Sequence, residues 1–162
     1  MNESRLFNRL ISIVGLVTVS IGGPSLLAAD SMRETTIADV VDTRQQGFKE
    51  MGRAMKVFRT ELRSDSPDSN AMMVAAKTVA SHADEISGWF PAGSGPESGL
   101  ETDALPYIWK NTEKFSRLSR EIVPASVALV AAVATKDTAT IVSGVSATGK
   151  TCKGCHDSFR DD

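Results

Sequence analysis

Apolar residues recur at steps of three and four along most of this chain, the period of helices that bury one face. From Thr36 to Leu62 the stripe is Val41, Arg44, Phe48, Met51, Met55, Phe58 and Leu62, and Thr36 with Asp39 has the spacing of a capping box. A second helix, capped by Asp68 or Ser69, runs to about Ser87 with Met72, Ala76, Val79, Ala83 and Ile86 on its stripe. A third, capped by Asn111, carries Phe115, Leu118, Ile122, Ala125, Leu129 and Val133. Pro124 lies inside it, removes a backbone donor and predicts a kink or break between Arg120 and Val123. A fourth starts at Asp137 and sets Ile141, Val145, Thr148, Cys152, Cys155 and Phe159 on one face. No segment alternates convincingly with the period of a strand. Four amphipathic helices with two short connections and one long one predict an all-α, antiparallel up-and-down four-helix bundle.

Three features depart from this pattern. Arg44 is the one cation on an apolar stripe, so it either takes an anionic partner or reaches solvent from near the helix end. His82 lies off the second stripe and reads as solvated. The stretch from Ala92 to Leu105 is rich in Gly, Ser and Pro and reads as a long loop. Trp89 and Trp109 flank that loop and are placed to pin it to the core.

The first 29 residues follow a different rule. Arg5 and Arg9 precede an apolar run from Leu10 to Ile21, and Leu27-Ala28-Ala29 closes it, which reads as a secretory signal peptide with cleavage before Asp30. The alternative is an uncleaved membrane anchor, for which the apolar run is short. Residues 30–162 are then one exported domain, and a bacterial periplasm is the expected location. With 18 basic and 20 acidic residues the chain has a net charge of −2, which argues against nucleic acid as a partner.

The candidate chemistry is concentrated at Cys152-Lys153-Gly154-Cys155-His156. This is the CxxCH attachment signature of a c-type haem: two thiols three apart share a helix face and can each form a thioether, and the adjacent imidazole can bind the iron. Zinc would need four ligands, and the chain offers only these two cysteines, His156 and His82. A thioredoxin-like pair would need a βαβ setting that is not visible here. The bundle is therefore expected to hold covalent haem c inside it, anchored on the last helix through Cys152 and Cys155 with His156 as metal ligand. In such a protein a haem propionate is the first candidate partner for Arg44, with Gln45 adding a hydrogen bond.

At this point the sequence resembles cytochrome c′, the class II c-type cytochromes. Arg44-Gln45-x-x-Phe48-Lys49-x-Met51-Gly52 is similar to the first helix of that family. Phe90-Pro91-x-Gly93-Ser94 and Ala104-x-Pro106-x-Ile108-Trp109 are similar to its loop, and Cys152-x-x-Cys155-His156-x-x-Phe159-Arg160 to its end. The resemblance implies a mostly five-coordinate, high-spin iron with His156 on one face and a packed apolar side chain, here Phe48, on the other. It implies propionate contacts from Arg44 and Gln45, and Arg160 beside His156.

Two functions follow from the resemblance. An open site crowded by Phe48 would admit nitric oxide or carbon monoxide. Alternatively, a slight rotation of the first helix would bring the Met51 sulfur over the iron, giving a low-spin electron carrier of the cytochrome c-556 type. No constellation of acids, bases or nucleophiles marks an enzyme. Redox partner proteins are expected in either case, and a homodimer could use off-stripe residues such as Val57 and Val74.

Overall fold

The computed structural model describes residues 35–161, so the signal-peptide reading for residues 1–29 lies outside the described residues. Five helices follow in order: α1 (Ile37–Glu61), α2 (Ser69–Glu85), the short α3 (Tyr107–Lys110), α4 (Thr112–Thr135) and α5 (Thr138–Phe159). The four long ones form the bundle, with α1 packed on α2, α2 on α4 and α4 on α5. Alignment of α4 with α5 is antiparallel, since the Thr148 hydroxyl donates to the Ala125 carbonyl while Gly144 meets Leu129 and Ala132.

Local sequence sets the ends of these helices. Thr36 accepts a hydrogen bond from the Asp39 backbone and the Asp39 side chain accepts from the Thr36 backbone, completing the capping box of α1. Asp68 caps α2 and Asp137 caps α5 through their carboxylates. Asn111 precedes α4 without capping it through its side chain; its amide donates instead to the Tyr107 carbonyl, because α3 has already turned the chain there. Helix α2 stops at Glu85, and Ile86–Gly88 continues as one 3₁₀ turn that delivers Trp89 to the core.

The expected break near Pro124 does not occur: α4 runs unbroken from Thr112 to Thr135. Pro124 is on the exposed side, where water can satisfy the carbonyl of Arg120, while Ile122, Ser126 and Leu129 are buried on the opposite side and hold the helix. His82 is also not simply solvated. Its Nε2 lies 2.7 Å from Glu50 on α1, its side chain is 19 % exposed, and its ring lies 5.8 Å from that of Trp89. Val57 is partly buried against the core, whereas Val74 is 66 % exposed.

The core joins Phe58, Met72, Val79, Ile122, Leu129 and Ile141. Trp89, in the segment after α2, lies directly against Gly47 of α1, where a Cβ would overlap the indole. Glycine is unfavourable inside a helix, so its presence here reflects the space the indole needs. Gly47→Ala is therefore expected to destabilise the fold by about 1–3 kcal/mol in chemical denaturation despite its better helix propensity, with loss of the buried Trp89 fluorescence signature.

Candidate functional site

Helices α1 and α5 are not closely packed on each other, and both line a cavity of about 990 Å³. This is at the upper end of the roughly 300–1,000 Å³ of small-molecule sites. All eight residues singled out from the sequence line it: Arg44, Gln45, Phe48 and Met51 from α1, Cys152, Cys155 and His156 from α5, and Arg160 just beyond.

On the α5 wall, Cys152 and Cys155 are free thiols on one helix face, and both are half-buried. Burial pushes the Cys152 thiol up, and burial together with the Cys152 and Glu121 charges pushes Cys155 up to about 11. Both are neutral thiols near pH 7. His156 is exposed at the same wall, and its carbonyl accepts from the Arg160 backbone 3.2 Å away. Arg160 is exposed and faces Asp103 across 3.5 Å.

On the α1 wall, Phe48 meets the Trp89 ring edge-on with centroids 5.1 Å apart and lies 6.2 Å from Phe90. Phe90 then meets Phe115 at 4.8 Å, and Phe115 meets Phe159 at 5.3 Å. Edge-to-face pairs of this kind add about 0.5–1.5 kcal/mol each beyond area burial. Phe48 is thus held in place on the cavity wall. Met51, one turn on, is 6 % exposed and lines the same cavity.

Arg44 does not reach solvent; it is 2 % exposed. Its guanidinium donates to the Ser94 hydroxyl at 3.1 Å, the Ser94 carbonyl at 2.8 Å and the Thr102 hydroxyl at 2.8 Å, and it stacks 4.9 Å above the Phe90 ring. Burial lowers its pKa and the charge of Glu97 partly offsets this; arginine stays protonated regardless. Gln45 donates to the Glu101 carbonyl at 2.8 Å. The loop's other end is tied to α5, with Leu105 donating to the Phe159 carbonyl and Asp161 to the Asp103 carbonyl. The loop therefore spans both walls. Trp109 also holds it, donating to the Pro91 carbonyl at 3.0 Å.

These residues fit a haem. Apolar walls suit the macrocycle, the paired thiols and imidazole share one wall, and Arg44, Gln45 and Arg160 supply donors for carboxylates. Sequence reasoning missed Ser94 and Thr102 as partners of Arg44, because a loop has no periodicity to mark its inward side chains. Ser94 is nevertheless fully buried.

The raised thiol values give a pH dependence. In the unfolded chain the thiols ionise near pH ~8.5, so above that pH the unfolded form alone sheds protons until the folded thiols follow. Stability of haem-free protein is expected to be full below that value and to fall as pH rises toward about 11. Urea midpoints measured from pH 7 to 11 should show this fall, and the double variant Cys152→Ala/Cys155→Ala should lose that part of it.

Comparison with known proteins adds an independent line. Residues 39–160 match the family model described as cytochrome C′. A cytochrome c′ of Rhodopseudomonas palustris is 31 % identical over 155 residues, covering 94 % of this chain and 95 % of the relative. A cytochrome c-556 of the same organism is 30 % identical over 150 residues, covering 90 % and 97 %. The crystal structure of cytochrome c′ from Thermochromatium tepidum superposes with a TM-score of 0.75 at 26 % identity, covering 80 % of this chain and all of that one. With its bundle, its cavity and this match over most of its length, the chain belongs to the cytochrome c′ family.

Proposed function

We propose that this protein is a periplasmic haem c protein that binds nitric oxide or carbon monoxide at an open iron site and also exchanges electrons with protein partners. Haem would be held by thioethers to Cys152 and Cys155, with His156 as the proximal ligand. Bound there, it would supply an iron able to bind a diatomic gas. Arg44 and Gln45 would orient the propionates, and Arg160 would lie beside His156.

The observation that carries this reading is Phe48. It lines the α1 wall of the cavity while the Cys-Cys-His run lines α5, and a phenyl ring has no donor atom for iron. Because the ring is held by Trp89 and Phe90, it resists displacement by bulky ligands and leaves room only for small ones. Selection is therefore by size, and the chemistry of this reading is binding rather than turnover.

A second reading has its own support. Met51 lines the same cavity, and the relatives include cytochromes c-556. A thioether on iron would give a six-coordinate electron carrier.

Optical and electron paramagnetic resonance spectra of the ferric and ferrous protein separate the two. The expected result is a high-spin ferric signal with ready formation of a ferrous nitrosyl, unchanged in Met51→Leu. Phe48→Ala should raise carbon monoxide affinity about tenfold, equivalent to about 1.4 kcal/mol. A low-spin spectrum with a sulfur-to-iron charge-transfer band that Met51→Leu abolishes would establish the second reading instead.

A further inference from the structure

The charge of this chain is unevenly placed. Overall it is −2, yet the stretch from Lys49 to Arg63 holds five cations, Lys49, Arg53, Lys56, Arg59 and Arg63, against two carboxylates, Glu50 and Glu61. Neither carboxylate pairs with the other four: Glu50 receives His82 and Arg53, and Glu61 accepts from the backbone of Asp68 at 2.8 Å.

Lys49, Lys56 and Arg59 are exposed on one face of α1, with Gly52 between the first two, and Arg63 is exposed in the turn that follows the helix. None of the four makes an ion pair among the described residues, where Arg117, Lys153 and Arg160 each do. Lys49, Gly52 and Arg59 also line the mouth of the α1–α5 cavity. Gly52 has open space where its Cβ would be, so the stripe has a bare gap beside the cavity.

We propose that this stripe is the docking surface for an acidic electron-carrier protein, which meets the cavity mouth at Gly52. The inference rests on the haem reading above and names the kind of partner that reading requires. Unpaired cations of one sign beside a low-dielectric cleft attract an anionic partner and raise its encounter rate, by a factor within roughly 10–10³. The chemistry at contact is the passage of one electron from the reduced carrier to ferric iron, leaving an oxidised carrier and ferrous iron, with no proton or bond transferred. A protein is favoured over an anionic lipid surface because the stripe lacks an apolar anchor. The exposed large apolar residues, Ile37, Val74, Tyr107, Val127 and Val142, all lie off it.

Lys56 and Arg63 belong to the stripe but not to the cavity lining, so they separate docking from effects on the haem. The test uses haem-loaded protein, reduced in a stopped-flow instrument by flavodoxin hydroquinone, a small acidic one-electron donor. Binding is read separately from the anisotropy of labelled flavodoxin. Lys56→Glu/Arg63→Glu is expected to lower the second-order rate constant at least tenfold at low ionic strength and to weaken binding in parallel. The difference should vanish in 0.5 M salt, and absorption spectrum and midpoint potential should not change. Lys77→Glu, an exposed charge reversal on α2, should leave the rate unaltered.

Equal rates and affinities in wild type and the double variant would overturn the proposal. So would an equal loss in Lys77→Glu, which would reduce the effect to net charge. A shifted potential would assign the stripe to the haem environment. Sedimentation with phosphatidylglycerol vesicles that the double variant loses, with flavodoxin rates unchanged, would replace the protein partner with a membrane. A protein with no c-type absorption spectrum would instead fail the haem reading itself, before any rate is measured.

Discussion

An apolar cavity of about 990 Å³ can persist only if its walls are prevented from closing on each other, because burying the exposed apolar surface would be favourable by about 25 cal/mol per Å². The architecture meets this constraint through connectivity. Contacts run from α1 to α2, from α2 to α4 and from α4 to α5, and the ring of helices is left open between its first and last members. The gap is then bridged at a fixed width by the loop, whose two ends bond to opposite walls.

The same constraint explains Arg44. A buried guanidinium needs oxygen partners, and Ser94 and Thr102 provide three on one segment. The charge thus fixes loop to helix. Any carboxylate that later approaches Arg44 does so against a donor already oriented by these contacts, which lowers the entropy of capture. Ser94 in turn donates to the Pro91 carbonyl, so the turn that presents it is itself closed.

Much of this was legible in the sequence, for a physical reason. Helix stripes and caps are local signals, and Thr36, Asp68 and Asp137 act at the helix starts where spacing placed them. The Cys152 to His156 run is likewise read from adjacent positions, and all eight candidate residues line one cavity. What escaped was decided between distant segments. The partners of Arg44 are 50 and 58 residues away, and His82 meets Glu50 across 32 residues. Pro124 shows the converse, a strong local signal overruled by packing on the opposite side of the same helix. Asn111 shows that a good cap residue is idle when a preceding turn takes its side chain.

The seat of Trp89 on Gly47 has a mechanical meaning for α1. Exchanging Met51 for Phe48 at one place over the cavity requires the helix to turn by about 60°, since three residues advance 300° around its axis. Such a turn would carry Gly47 out from under the indole and drive a neighbouring side chain into it. The indole therefore acts as a detent on the helix, and which side chain of α1 is presented to the cavity is governed from a position outside the cavity lining.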